Sequence, residues 1–293
     1  MNEYEYPYYH WWSGTNNINF VPRPNDEFLY HYTTAKALIQ ILKGMELKLS
    51  SFNNLNDVSE VQSNWINSSI DTIIPEIVTQ QFIIENCSFL SFTTNYRKGG
   101  LYKTGAEHPR MWAQYGENHY GACIVLRKKD FLSVNKKVLK GKFYKLEKVK
   151  YTIVPSDAII DENSESEELV KHNYRSLFFC KDKDWKEECE YRLFGVDLPR
   201  YLSIDGALAY ICLGHRFFKK RSDDIDYGDE LFNLFVDNKT RCYEKLKPHS
   251  FSQIECSNKG YYEADASDRI YELCNKYQFK GNQAKVYLKW SNE

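Results

Sequence analysis

Phe28-Leu29-Tyr30-His31-Tyr32, running through Thr33-Thr34 into Ala35-Lys36-Ala37-Leu38-Ile39-Gln40-Ile41-Leu42-Lys43-Gly44, is the stretch whose reading decides the fold. The first five residues alternate in character and favour a pleated strand. Thr33 and Thr34 are good N-cap residues. Ala35, Leu38, Ile39 and Leu42 then recur at helical spacing, so a helix over Ala35 to about Lys43 is expected, with Gly44 as its stop. His31 thus lies at the end of a strand where a helix begins, a place where polar side chains commonly face a cleft.

Short strands continue along the chain. Leu47 to Ser50 reads as one, followed by a polar loop from Phe52 to Glu60 (FNNLNDVSE). Residues 61–86 carry helical periodicity interrupted by Pro75, and Ser88 to Thr93 (SFLSFT) is a further strand ahead of a Gly99-Gly100 loop. Met111 to Tyr115 (MWAQY) reads as a short helix and Gly121 to Leu126 (GACIVL) as a buried strand. Residues 142–152 hold one or two strands, and an acidic loop from Asp161 to Glu168 enters a helix over about Leu169 to Phe179. Glu190 to Val196 (EYRLFGV) and Ala209 to Leu213 are strands, and a helix is expected from Asp223 to about Val236. Cys242 to Leu246 and Phe251 to Cys256 read as strands, and about Ser267 to Tyr277 as a helix. Short strands with interspersed helices, without regular βαβ alternation, predict an α+β fold with a mostly antiparallel sheet. Neither GxGxxG nor GxxxxGK[ST] occurs, so no glycine loop of those kinds cradles a phosphate.

Composition bounds the function. The 293 residues are 42% apolar and 16% aromatic, ample for a core. A net charge of −1 and a pI near 6.7 argue against a surface that is basic throughout, and leave room for a local basic groove. Lys128-Lys129, Lys136-Lys137 and Lys219-Lys220-Arg221 read as solvated faces. Eight cysteines are scattered with no CxxC and no zinc-ligand spacing, so reduced thiols and no metal are expected, with Cys123 and Cys212 packed inside strands. No secretory segment opens the chain and no run approaches the roughly 18 apolar residues that span a bilayer. The expectation is a cytoplasmic protein with no membrane partner. Residues 1–27, rich in tyrosine and tryptophan, read as an N-terminal arm.

Three polar stations carry the chemistry: His31-Tyr32-Thr33, Ser91-Phe92-Thr93, and Glu188 with Glu190. Cleavage of a nicotinamide glycosidic bond passes through an oxocarbenium-like transition state, which a nearby carboxylate stabilises. Glu190 is the candidate. Placed on one strand, Glu188 and Glu190 would share a face, because the side-chain period is two. One would orient a ribose hydroxyl and the other activate the incoming nucleophile. The plainer alternative makes EECEYR an exposed strand edge with Arg192 in surface pairs. His31 offers a ring nitrogen to a ribose hydroxyl, although a lone strand histidine is more often structural. Tyr32 and Tyr115 offer rings for stacking, whereas Trp112 reads as core. Ser91 and Thr93 share a strand face and would support the same site.

Taken in order and spacing, LYHYTTAKALIQIL, LSSFNNLNDVSE, LSFT, MWAQYGENHYGACIVL, WKEECEYRLF and ICLGHRF resemble a widespread bacterial domain family of unknown function, over about residues 28–216. That family is distantly similar to the ADP-ribosyltransferase superfamily. The resemblance implies a split β-sandwich of mostly antiparallel strands with peripheral helices over residues 28–257, and residues 258–293 as an extension packed on the same domain. It implies NAD as substrate, without a metal. His31 would bind the NAD ribose with Thr33 beside it, and the Tyr32 backbone would hold the nicotinamide amide. Ser91 and Thr93 would match the Ser-x-Ser/Thr station, Tyr115 would be the aromatic alternative, Glu190 catalytic and Glu188 accessory. Tyr32 stands where several branches have glycine. Related transferases in bacteria often serve as toxins or phage-defence effectors that modify protein or nucleic acid, and as a toxin this chain would be held in check by an inhibitory partner protein. Two rival expectations remain open: a non-catalytic nucleotide- or protein-binding sensor, and an NAD glycohydrolase.

Overall fold

The strand expected at Phe28 is β1 (Phe28–Thr33), buried along its length except at Phe28 and His31. It feeds α1 (Ala35–Gly44), whose N-cap Thr34 accepts a hydrogen bond from the Ala37 N–H at 3.2 Å. Ala35, Leu38, Ile39 and Leu42 form the buried stripe. The helix passes through Gly44, the expected stop, and Met45 takes the left-handed position at φ 51°. This computed structural model describes residues 27–52, 81–98, 101–152, 165–218, 225–236, 246–248 and 276. The N-terminal arm, the loop to Glu60, the helical stretch up to residue 80, the strand at Phe251 to Cys256 and nearly all of 258–293 lie outside them. The chain is α+β with mostly antiparallel strands, as expected. Among the described residues no helix is long and apolar enough to cross a membrane.

The chain divides into two compact units. The first comprises Met1–Met45, Asn95–Lys128 and Leu208–Glu293. In it, β7 (Ala122–Arg127) pairs antiparallel with β1, placing Tyr32 opposite Cys123, and on its other side with β13 (Leu208–Leu213), placing Cys212 opposite Cys123. Here β14 (Leu246–Pro248) runs parallel to β13, and β5 (Tyr96–Lys98) and β6 (Leu101–Lys103) form an antiparallel pair. Helices α2 (Pro109–Gln114) and α6 (Tyr227–Val236) complete the unit. Its core gathers Tyr30, Tyr32, Met111, Trp112, Cys123 and Cys212, so these two thiols are packing groups as the sequence suggested. One glycine is dictated by close approach: a Cβ on Gly121 would lie 2.1 Å from the Thr33 carbonyl oxygen.

The second unit comprises Glu46–Thr94 and Lys129–Ala207. Its middle strand, β11 (Glu190–Val196), is buried at every position and pairs antiparallel with β4 (Cys87–Thr93) on one side and β8 (Tyr144–Lys148) on the other. The strand expected over Leu47 to Ser50 is divided at Leu49, whose N–H bonds the Arg200 carbonyl at 2.9 Å. Its two parts are β2 (Glu46–Lys48), paired with β12 (Tyr201–Ser203), and β3 (Ser50–Ser51), paired with β4. A parallel pair joins β9 (Lys150–Thr152) to β10 (Cys180–Asp182). Helices α3 (Lys128–Val134) and α4 (Lys136–Leu139) occupy a stretch the sequence pattern left unassigned, and α5 (Ser166–Phe178) starts earlier than expected. The core is aromatic: Phe52 packs on Phe89 and Phe178, and Phe178 stacks on Phe194 with centroids 4.1 Å apart. Each fully buried phenylalanine contributes about 1.5–3 kcal/mol, enough to hold charged residues inside this sheet.

Candidate functional site

Register carries the second and third polar stations together. In the β4–β11 ladder Thr93 faces Glu190 and Ser91 faces Arg192. The Ser91 hydroxyl donates to Glu190 Oε1 at 2.6 Å, and the Thr93 hydroxyl donates to the Glu188 carbonyl at 2.6 Å. Four of the residues singled out by sequence therefore meet in one cluster. Glu190 is 4% exposed and Glu188 2%, so EECEYR is not the exposed edge of the plainer reading.

Two cations neutralise the carboxylates. Arg192, two residues along the same strand and therefore on the same face, forks onto Glu190 with Nε to Oε1 at 2.7 Å and Nη2 to Oε2 at 2.9 Å. Its Nη1 donates to the Phe178 carbonyl at 2.8 Å, and its guanidinium lies over the Phe89 ring. Lys181 of β10 bridges the pair, with Nζ 3.0 Å from Glu188 Oε2 and 2.8 Å from Glu190 Oε2. Tyr151, opposite Lys181 in the β9–β10 register, accepts the Glu190 N–H at 2.8 Å. Burial alone would raise the Glu190 carboxyl, but the Arg192 and Lys181 charges outweigh it and hold the group ionised, well below the ordinary carboxylate range. Burial likewise pushes the Tyr151 phenol up, so it stays protonated.

Glu188 reaches this cluster by a different route from the one expected. It does not lie on the strand: it ends a 3₁₀ helix over Lys183–Glu188, and Cys189 then takes a left-handed conformation at φ 48° before β11 begins. The two-residue strand period therefore does not apply. The turn at Cys189 and the bridging ammonium of Lys181 bring the carboxylates together instead. Lys181 and Tyr151 were not singled out in the sequence, because their strands are short and their pairing is parallel and non-local.

The remaining station lies in the first unit. His31 is half-buried on β1, and Thr33 is 7% exposed. Tyr32 turns its ring into the core, donating to the Gly105 carbonyl at 2.6 Å and meeting Trp112 edge-on at 5.1 Å. The ring is thus committed to the core and is not placed to stack on a ligand. Tyr115 is half-buried at the C-cap of α2, and Trp112 is fully buried with its indole N–H on the Ala106 carbonyl at 2.7 Å.

A feature unforeseen in the sequence follows directly. Glu117, Asn118 and His119 are three successive non-glycine residues with φ of 52°, 49° and 68°, each left-handed residue costing about 1–2 kcal/mol. The turn is held from several sides. Glu117 Oε2 accepts the Ala35 N–H at 3.0 Å, at the start of α1, and the His119 carbonyl accepts the Arg216 N–H at 2.9 Å. The His119 ring stacks on Trp112 at 5.3 Å and lies 4.1 Å from His215. Burial, reinforced by Arg216, lowers the His119 pKa to about 4, so its imidazole is neutral at physiological pH. No composition signal marks this turn, since Asn-His is a weak substitute for the glycine such a backbone favours. Among the described residues no three His, Cys, Asp or Glu side chains converge as a metal site.

A family model described as a protein of unknown function (DUF2971) matches residues 111–193, from the start of the MWAQY block to Leu193 of EYRL. It thus spans both the left-handed turn and Lys181, Glu188, Glu190 and Arg192, and bears out the resemblance to a domain family of unknown function. No curated protein and no solved structure matches the chain.

Proposed function

We propose that the protein is an NAD-dependent ADP-ribosyltransferase that moves ADP-ribose from NAD to a macromolecular acceptor. The single observation that supports this most is the 2.6 Å hydrogen bond from Ser91 to Glu190, a contact between two independently predicted stations. A group that stabilises an oxocarbenium ion must be an anion throughout, unlike a general acid. Glu190 meets that requirement, because Arg192 and Lys181 hold it ionised against burial. In the reaction the bond from ribose C1′ to nicotinamide breaks and its electron pair leaves with nicotinamide. The acceptor nucleophile then bonds C1′ and gives up its proton, for which Glu188 is the accessory carboxylate. Lys181 is the cation that the developing ribosyl charge displaces from Glu190 Oε2. On this reading the fold is the split β-sandwich of that superfamily.

One observation favours a second reading. Both Glu190 oxygens already carry cationic partners, which also suits a non-catalytic sensor whose buried charges only fix the fold. Labelled NAD incubated with the protein and cell lysate separates the two. Transfer to a macromolecule is expected, and Glu190→Gln, checked for native circular dichroism, should reduce it about 10²–10³-fold. Equal activity in Glu190→Gln refutes the proposal and favours the sensor. Nicotinamide release without any acceptor, at the rate seen in lysate, identifies a glycohydrolase instead.

A further inference from the structure

Glu188, Glu190 and Arg192 are buried, and the Lys181 side chain nearly so. A ligand the size of a nucleotide therefore reaches Glu190 only if something around it moves. The cluster has a fixed part and a part carried on a weaker element. Glu190, Arg192 and Ser91 sit on β11 and β4, which pair along their whole length, and Arg192 is tied further to the Phe178 carbonyl. Glu188 belongs instead to the 3₁₀ segment Lys183–Glu188, which links the end of β10 to the start of β11 and lies on β9 and β10.

Most of that segment faces water. Lys183, Asp184, Lys186 and Glu187 are exposed, and Trp185 is half-buried with Lys181 Nζ 5.5 Å from its ring centroid. Six residues is a long run for a 3₁₀ helix, whose hydrogen-bond geometry is poor. Segments that bury little apolar surface open locally without unfolding the rest of the domain. At its first end Asp182 caps the helix by accepting the Asp184 N–H at 2.9 Å. At its second, Cys189 is left-handed, with φ 48° and ψ 44°, a conformation costly to a residue with a Cβ. Two threonines at the end of β4 hold that second end in place. The Thr93 hydroxyl donates to the Glu188 carbonyl at 2.6 Å, and the Thr94 hydroxyl and N–H each reach the Cys189 carbonyl at 3.3 Å. A turn outward about Cys189 parts Glu188 from Lys181 Nζ, 3.0 Å away, and leaves the contacts of Glu190 with Ser91 and Arg192 in place.

We propose that Lys183–Glu188 is a strap, hinged at Cys189, that opens to admit a ligand to Glu190. That the ligand is NAD rests on the transferase reading; the hinge itself does not.

Hydrogen exchange of the full chain tests it, read by mass spectrometry in peptides covering residues 183–189 and 191–196 over a series of sub-denaturing urea concentrations. Strap amides should exchange faster than those of β11 and with little urea dependence, because a local opening exposes little surface. Cys189→Val, which disfavours the left-handed hinge, should speed strap exchange about 5–30-fold. Cys189→Asn tolerates that conformation and should leave it near the wild-type rate. Thr93→Val takes the donor from the Glu188 carbonyl and should speed strap exchange about tenfold; it decides the matter if circular dichroism shows Cys189→Val misfolded. With labelled NAD, a more open strap should lower KM by the factor by which exchange rises and leave kcat unchanged. Strap amides that exchange only together with β11, at the same rate and urea slope, overturn the proposal. So does strap exchange that Cys189→Val does not move, or a KM that stays constant where exchange has risen. Failure of the transferase reading registers separately: no protein form then consumes NAD, and the exchange pattern alone decides the hinge.

Discussion

Lys181→Met removes the ammonium that bridges Glu188 and Glu190 while keeping a long, unbranched side chain in its place. Lys181 is 8% exposed at its side chain and both carboxylates are more deeply buried, so water cannot replace the lost charge. Taking one partner from a buried ion pair costs about 3–5 kcal/mol. Because the Arg192 fork still holds Glu190, the lower end, about 3 kcal/mol, is the expected loss. For a chain of this length that corresponds to a melting temperature lower by roughly 6–12 °C. The pH dependence fixes the cause. In the wild type the Glu190 pKa is lowered from 4.5 to about 2, so its contribution is fully present above the unfolded pKa and is lost as pH falls through the folded one. Without Lys181 the folded pKa climbs and that contribution shrinks. The gap between wild type and variant should thus be full at neutral pH and narrow at about pH 3. Urea unfolding at both pH values measures it. A neutral-pH gap below about 1 kcal/mol, the value of an exposed pair, or a gap equal at both pH values, would refute the electrostatic account of the cluster.

Two further substitutions probe the first unit. Asn118→Gly should raise stability by up to about 1 kcal/mol, and Asn118→Val should lower it by about 1–2 kcal/mol, because φ is 49° there; urea midpoints that move together would show the turn is unstrained. Gly121→Ala places a Cβ 2.1 Å from the Thr33 oxygen and should cost at least about 2–3 kcal/mol, read as a lowered melting temperature; a neutral effect would mean that this junction yields.

Much of the fold was legible because hydrophobic period reports local structure. The Thr34 cap with its Ala35, Leu38, Ile39 and Leu42 stripe identified α1, and the apolar runs at Ala122 and Leu208 identified β7 and β13. Helices α3 and α4 escaped because they bury only Phe131 and Leu139 amid lysines, too few positions to set a period. At the site, Ser91, Thr93, Glu188 and Glu190 were legible as residue types. The left-handed Cys189 that brings in Glu188, and Lys181 arriving on a parallel strand, were not. Single-residue backbone conformations and non-local pairings leave no periodic trace.

A strand walled in on both sides, as β11 is, has no wet and dry face to tell it where to stop sliding. Its apolar residues would be content one step away in either direction. The fork between Glu190 and Arg192 removes that freedom: a slip of a single residue sends both charges through to the opposite side of the ribbon, away from Ser91 and Lys181. The buried ions therefore act as a key that only one alignment turns, and a Glu190→Met/Arg192→Leu double substitution should yield a protein of comparable stability whose amide signals report more than one pairing.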